Sequence, residues 1–241
     1  MLRHLMNGLI DIVWPKKCLA CKDRLGKNPA EEYICGKCWE GIPKNIPPFC
    51  GHCGRHLDTK SSSGNICAKC IEQPLSFDRA FSPCAYTGVV KELIHEFKYK
   101  NKPYLGKPLS KIMIDFIKEY NLPFFYADLI VPIPLHHTRL REREFNQAEI
   151  LSRHIAEELS LNLAPEVLLK KRLTRSQVDL KDKERFANVA GSFSVNPKAS
   201  VRGKNILLVD DVLTTGATTS AAASVLKNAG AHIVFTLTLA N

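Results

Sequence analysis

Two kinds of apolar segment alternate over the C-terminal two thirds of the chain. Residues 127–135 and 206–209 are short apolar runs bounded by polar residues, which is typical of strands buried on both faces of a parallel sheet. Residues 89–102 and 107–120 instead place apolar side chains at helical spacing, so each segment predicts an amphipathic helix. Because strands and helices alternate in this way, we predict an α/β domain with a mostly parallel sheet.

Two adjacent carboxylates, Asp210 and Asp211, follow the apolar run Ile206–Val209 and precede a turn rich in threonine and glycine. A helix is predicted over 219–229, because this stretch is rich in alanine, contains no proline and is followed by Gly230. We therefore expect both carboxylates to lie after the strand, between its end and the start of the helix. In an open α/β sheet, this is the edge that binds ligands.

The chemistry of the turn favours a phosphate group. Its backbone N–H groups and hydroxyls stand at a helix N-terminus, where the helix dipole adds positive potential. Two carboxylates beside a phosphate need a further partner, such as the vicinal hydroxyls of a sugar or a divalent cation. A phosphorylated ribose meets both requirements, and a strand–turn–helix connection with an incidental pair of aspartates is the alternative. The predicted ligand contacts are Asp210, Asp211, Thr214, Thr215, Gly216, Ala217 and Thr218.

The segment VDDVLTTGAT, residues 209–218, resembles the phosphoribosyl pyrophosphate (PRPP) motif of type I phosphoribosyltransferases. The resemblance implies a phosphoribosyltransferase fold and PRPP bound together with Mg²⁺. It also implies that a second loop binds pyrophosphate, and the rigid turn after strand 127–135 is the candidate. That turn contains Pro132, Ile133 and Pro134.

Eight of the nine cysteines form four Cys-x-x-Cys pairs, and the spacing of the first two pairs repeats in the last two. Two such pairs supply four thiolates for a tetrahedral zinc site, so the duplication predicts a double zinc ribbon with two structural zinc ions. Disulfides are disfavoured because the chain shows no export signal. Sequential pairing is favoured, although interleaved pairing stays open. The ligands are then Cys18, Cys21, Cys35 and Cys38 for one ion, and Cys50, Cys53, Cys67 and Cys70 for the other.

The chain carries 34 Lys and Arg against 24 Asp and Glu, a formal charge of +10 that favours polyanionic partners. Its N-terminal stretch 1–17 is too short and too often interrupted to span a bilayer, and predicts an amphipathic helix. No other segment is a transmembrane candidate, so we expect a cytoplasmic protein. The predicted organisation is this helix, the double ribbon over 18–70 and the α/β domain over 71–241.

Three other features of the middle of the chain carry expectations. Lys98 stands near the end of the helix predicted over 89–102, where helix capping is the commoner role and reaching a phosphate is the alternative. Cys84 lies in an apolar stretch and is expected to be a buried small hydrophobe. Residues 170–186 are basic without an apolar stripe, which is typical of a mobile surface lobe. Nucleic acid is one polyanion that such basic segments favour, and the candidate DNA contacts are Arg139, Arg141, Arg143, Lys170, Lys171, Arg172 and Arg175.

With its four cysteine pairs followed by a PRPP motif, the chain resembles the competence protein F family. The similarity extends to the segments 86–100, 131–152 and 175–193, with one departure: Glu144 stands where the family often has glycine. The resemblance implies a role in natural transformation, with single-stranded DNA and proteins of the uptake machinery as partners.

Two hypotheses follow from this resemblance. In the first, the protein handles single-stranded DNA and keeps a phosphoribosyltransferase-like domain for binding or regulation. In the second, it is an active phosphoribosyltransferase that moves ribose 5-phosphate from PRPP to an acceptor. Because the sequence marks neither an acceptor pocket nor a catalytic residue, we favour the first.

Overall fold

The computed structural model describes residues 16–26, 32–57, 62–63, 65–174 and 182–241. Most of the predicted N-terminal helix and the candidate DNA contact Arg175 lie outside the described residues. No helix in these ranges is both long and apolar enough to cross a membrane. The strands are β1 (Ser62–Ser63), β2 (Ile66–Cys67), β3 (Arg79–Phe81), β4 (Leu129–Pro132), β5 (Leu168–Lys170), β6 (Phe193–Val195), β7 (Asn205–Val212) and β8 (Ile233–Ala240). The α-helices are α1 (Gly36–Glu40), α2 (Ala68–Glu72), α3 (Gly88–Tyr99), α4 (Gly106–Glu119), α5 (His137–Arg143), α6 (Gln147–Leu159), α7 (Asp182–Val189) and α8 (Ala217–Asn228).

The central sheet contains four parallel strands in the order β3–β8–β7–β4. Its middle strands are apolar on both faces, and Ile206, Leu207, Leu208 and Val209 are fully buried. Leu207 and Val209 face a core that includes residues of α3, α4 and α6, whereas the two alternate residues face α8. The parallel pairing and the helices on both faces confirm the predicted α/β fold. A parallel sheet is normally covered by helices on both of its faces.

The carboxylates of the predicted motif belong to β7 itself. Asp210 pairs with Thr238 and Val212 with Ala240, so the strand continues three residues beyond its apolar run. Helix α8 then begins at Ala217, two residues earlier than the expected start. The expectation that Asp210 and Asp211 follow the strand is therefore wrong, since pairing with β8 holds both of them in extended conformation.

A small antiparallel ribbon, β5 paired with β6, lies at the base of the basic stretch 170–186. Leu168 and Phe193 are buried, and the Lys171 N–H donates to the Ser192 carbonyl at 2.8 Å. Within the basic stretch 170–186, Lys170 ends β5 and residues 182–186 belong to α7, while residues 171–173 are exposed, in agreement with a position on the surface. Its apolar anchors lie outside the stretch, which explains why the local pattern did not reveal them.

The two cysteine repeats fold alike. Cys18 donates its N–H to the Asp23 carbonyl at 2.8 Å, and Cys50 donates to the Arg55 carbonyl at 2.7 Å. The first ribbon packs with the core that covers the α4 and α6 face of the sheet, and the second with the core on the α8 face. Each ribbon is therefore built into one of the two cores of the α/β domain.

Candidate ligand-binding cleft and metal sites

A cleft of about 510 Å³ opens at the carboxyl ends of β4 and β7. In a parallel α/β sheet this edge is the usual position of a ligand. Six Lys and Arg side chains line the cleft against two carboxylates, which makes it suited to a polyanion. These charged residues are Lys91, Lys98, Arg139, Arg143, Lys170, Arg185, Asp210 and Asp211.

Lys98 neutralises one carboxylate of the acid pair. Its Nζ atom lies 2.7 Å from Asp211 Oδ1, and the two side chains are only 18% and 9% exposed. Although burial disfavours its charged form, the Asp211 carboxylate holds the pKa of Lys98 above its ordinary value. The expectation that Lys98 caps a helix is therefore wrong.

Asp210 has no such cation in direct contact within the described residues. Burial and the neighbouring Asp211 carboxylate raise its pKa to about 7, against a weaker opposing effect of Lys98. Its Oδ1 atom accepts the Asp211 N–H at 2.8 Å. A cation or a pair of sugar hydroxyls at this position stabilises the ionised carboxylate, so the local chemistry fits both partners inferred from the sequence.

The turn after β7 brings only part of the predicted phosphate loop to the cleft surface. Thr214 and Thr218 line the cleft, whereas Ala217 is buried in the first turn of α8. Gly216 has a φ of +80°, and a methyl group there would lie 2.9 Å from the Leu75 side chain. Thr215 Oγ1 accepts the Ala217 N–H at 3.4 Å. The positive φ therefore favours glycine at 216, and a larger residue there would also displace the Leu75 side chain.

Three of the candidate DNA contacts line the cleft: Arg139, Arg143 and Lys170. Burial lowers the pKa of Lys170 despite the opposing effect of Asp210. The others have different positions. Arg141 contacts His137, Lys171 is exposed, and Arg172 donates to the carbonyls of Asn188 and Ala190 at 3.0 and 2.9 Å.

The turn at Pro132, Ile133 and Pro134 shapes the wall beside Asp210, and the last two residues line the cleft. Neither proline has an N–H group, and the Ile133 N–H donates to the Val209 carbonyl at 2.9 Å. These three residues therefore offer no free backbone donor to an anion. An anion here would find its donors outside these three residues, and the basic side chains of the cleft are candidates.

The eight paired cysteines form two separate groups, as sequential pairing requires. Within each group, the sulfur atoms lie within 4.8 Å of one another. Cys21 and Cys35 have sulfurs 3.8 Å apart, and those of Cys53 and Cys67 are 3.7 Å apart. Four thiolates at about 2.3 Å from a tetrahedral zinc ion are about 3.8 Å from each other, so both groups fit zinc. Burial raises the pKa of the remaining thiol, Cys84, to about 12, and its full burial confirms the predicted packing role.

Comparisons with known proteins identify both parts of the chain. Residues 9–71 match the double zinc ribbon domain, and residues 147–241 match the phosphoribosyl transferase domain. Competence protein F of Haemophilus influenzae is 28% identical over 221 residues, which are 89% of this chain and 92% of the relative. The resemblance to the competence protein F family is confirmed. Competence protein ComFC of Bacillus subtilis is 27% identical over 233 residues, covering 88% of this chain and 89% of that protein.

A third relative has a different kind of name. DNA utilization protein YhgH of Escherichia coli is 27% identical over 205 residues, 83% of this chain and 87% of the relative.

Together with the cysteine geometry, the match to the double zinc ribbon domain assigns two structural zinc sites to the chain.

The departure from the competence protein F pattern at Glu144 has a structural counterpart. Glu144 ends α5 with a φ of +66°, a conformation that favours glycine. Its carboxylate accepts a hydrogen bond from the Asn101 side chain, which ties it to the segment after α3. Asn146, two residues further on, caps α6 by accepting the Ala148 N–H at 3.2 Å.

Sequence reasoning assigned no role to several residues that line the cleft. His136 Nδ1 accepts the Thr138 N–H at the start of α5, and burial together with His137 lowers its pKa. Tyr99 lies beside Lys98, with the Arg143 guanidinium 5.1 Å from its ring centre. These residues come from segments distant in sequence, so only the fold brings them together.

Proposed function

We propose that the cleft binds PRPP with Mg²⁺, and that a cytoplasmic protein of DNA uptake uses this site while it handles single-stranded DNA. The observation that carries the proposal is that one cleft contains the acid pair, the threonine turn and a basic wall. The basic wall consists of Arg139, Arg143 and Lys170. PRPP can use all three features, because it has vicinal hydroxyls, a 5′-phosphate and a pyrophosphate. We also propose the division into ribbons over 18–70 and an α/β domain over 71–241.

Each part of the ligand has a matching group. Asp210 and Asp211 would accept hydrogen bonds from the ribose hydroxyls, and Thr214–Thr218 would hold the 5′-phosphate. The basic side chains Arg139 and Lys170 would hold the pyrophosphate, because the turn at 132–134 lacks free N–H groups. Mg²⁺ would supply positive charge between the pyrophosphate and Asp210, favouring the ionised carboxylate.

The role in DNA uptake rests on the names of the relatives and on charge. Two similar proteins are named for competence and a third for DNA utilization. Among the described residues, Arg139, Arg143 and Lys170 form no ion pair with a carboxylate, so their charges are free for phosphates. A single strand that follows this wall would bind with an affinity that falls steeply with salt.

An active phosphoribosyltransferase is the second candidate. The favouring observation is the cleft volume of about 510 Å³, whose lining includes Tyr86, His95, Tyr99 and Leu173 as candidate contacts for an acceptor. Such an enzyme would release pyrophosphate from PRPP in the presence of its acceptor. Nucleobases, nucleosides and single-stranded oligonucleotides are the acceptors to test.

The proposed DNA role is tested by fluorescence anisotropy of a labelled single strand over a salt series, with and without Mg²⁺-PRPP. We expect binding whose salt slope flattens in Arg139→Ala with Lys170→Ala, while Arg153→Ala on the exposed side of α6 leaves it unchanged. We also expect PRPP to shift the affinity, because it occupies the same basic wall. Equal slopes for wild type and the double variant would place the DNA elsewhere, and no binding at all would reject the DNA role.

A further inference from the structure

The second ribbon touches the phosphate turn, although it does not line the cleft. Arg55, two residues after the zinc ligand Cys53, donates from Nη2 to the Thr214 carbonyl at 3.1 Å. The Arg55 carbonyl in turn accepts the N–H of Cys50, another ligand of the same site. The turn is therefore two hydrogen bonds away from a cysteine of the second metal site.

The segment after the last cysteine makes two more contacts with the same region. Leu75 packs against Gly216, at the position where a side chain would clash. Ser76 donates its N–H to Ser220 Oγ in the first part of α8 at 2.9 Å, and the two hydroxyl oxygens lie 3.2 Å apart. The segment that follows the second ribbon is thus packed against the phosphate turn and its helix.

The first ribbon provides an internal comparison, because it has the same fold and a different residue at this position. Asp23 corresponds to Arg55 in the repeat, and its carbonyl accepts the Cys18 N–H in the same way. An aspartate has no donor for a carbonyl. The first ribbon instead reaches α3, through the ion pair of Lys22 with Glu96 at 2.7 Å.

We propose that Arg55 is a positioning residue for the ligand site, and that the second zinc ribbon sets the conformation of the phosphate turn. The first ribbon has no such effect on the turn. Arg55 acts through the Thr214 carbonyl, since its own side chain lies outside the cleft. The consequence for PRPP affinity rests on the proposed function, whereas the consequence for the turn itself does not.

The main test compares Arg55→Met with wild type, because methionine keeps a long apolar side chain and removes every donor. Arg153→Met, an exposed arginine on α6, is the matched control. We expect Arg55→Met to retain two zinc ions, to exchange amide hydrogens faster in 213–220, and to bind Mg²⁺-PRPP about tenfold more weakly. The control should behave as wild type in all three measurements.

A second comparison separates the two metal sites. Cys38→Ser and Cys70→Ser alter equivalent positions of the repeat, and each should leave one zinc ion bound. Faster hydrogen exchange in 213–220 is expected for Cys70→Ser alone. Equal effects of the two variants on this segment would contradict a specific role of the second ribbon.

The outcomes distinguish the two proposals. Exchange in 213–220 and PRPP affinity that both match wild type in Arg55→Met would overturn the positioning role. If wild type does not bind Mg²⁺-PRPP, the proposed function fails, and the exchange measurement alone still decides whether Arg55 positions the turn.

Discussion

Removing Lys98 should destabilise the protein far more than removing an ordinary surface lysine. In Lys98→Met, the Asp211 carboxylate stays 9% exposed beside Asp210 and has lost its cation. Breaking a buried ion pair by removing one partner typically costs about 3–5 kcal/mol. Because this pair lies at the edge of a cleft that water can enter, we expect about 3 kcal/mol at pH 8.

The loss should depend on pH in a defined direction. Without Lys98, the folded-state pKa of Asp210 rises further above its unfolded value, because the charge of Lys98 opposes that rise in the wild type. A carboxyl group of this kind costs stability as the pH rises, and the cost is complete only above the folded-state pKa. The destabilisation should therefore be smaller at pH 6 than at pH 8, because protonation of Asp210 leaves one negative charge instead of two adjacent ones.

The assay is urea unfolding followed by circular dichroism at both pH values. Lys111→Met is the control, since Lys111 pairs with Asp115 on the surface of α4 with side chains 63% and 52% exposed. Such a pair contributes about 0.5 kcal/mol or less. The double variant Lys98→Met with Asp211→Asn should regain most of the lost stability. A loss in Lys98→Met no larger than in the control would refute the reasoning.

Two further predictions concern the acid pair and the turn. Because the pKa of Asp210 is raised to about 7, affinity for Mg²⁺-PRPP should rise between pH 6 and pH 8 as the carboxyl ionises, and calorimetry should detect proton release on binding. Asp210→Asn should abolish that release, and equal proton release in the variant would contradict the assignment. Gly216→Ala should destabilise the fold more than Gly191→Ala, since both glycines have positive φ and only Gly216 packs against Leu75. Leu75→Ala should partly rescue Gly216→Ala in thermal unfolding, and equal losses at the two glycines would exclude the clash.

Patterns within short segments of the sequence were sufficient to predict the metal sites and the central strand. The repeated cysteine spacing predicted two four-sulfur sites, and the apolar run before Asp210 predicted a buried parallel strand. The extent of that strand was missed, because pairing of Asp210 with Thr238 depends on a partner strand. Pairing of Leu168 with Val195 escaped prediction for the same reason.

The composition of the cleft was predicted less completely than its position. Lys98 and Asp211 are 113 residues apart and meet only because the fold places the last turn of α3 beside the end of β7. Their charges gave a weak signal, since a lysine near a helix end usually has a local role. Contact between Arg55 and Thr214 spans an even longer separation, and nothing in either neighbourhood indicated it.

The measurement that tests the central claim most directly is calorimetric titration of Mg²⁺-PRPP into wild type and into Asp210→Asn with Asp211→Asn. Wild type should bind one PRPP, and the double variant should keep its zinc and its fold while losing PRPP binding. Unchanged affinity in a folded double variant would show that the acid pair does not hold the ribose, and the account of the cleft would be wrong.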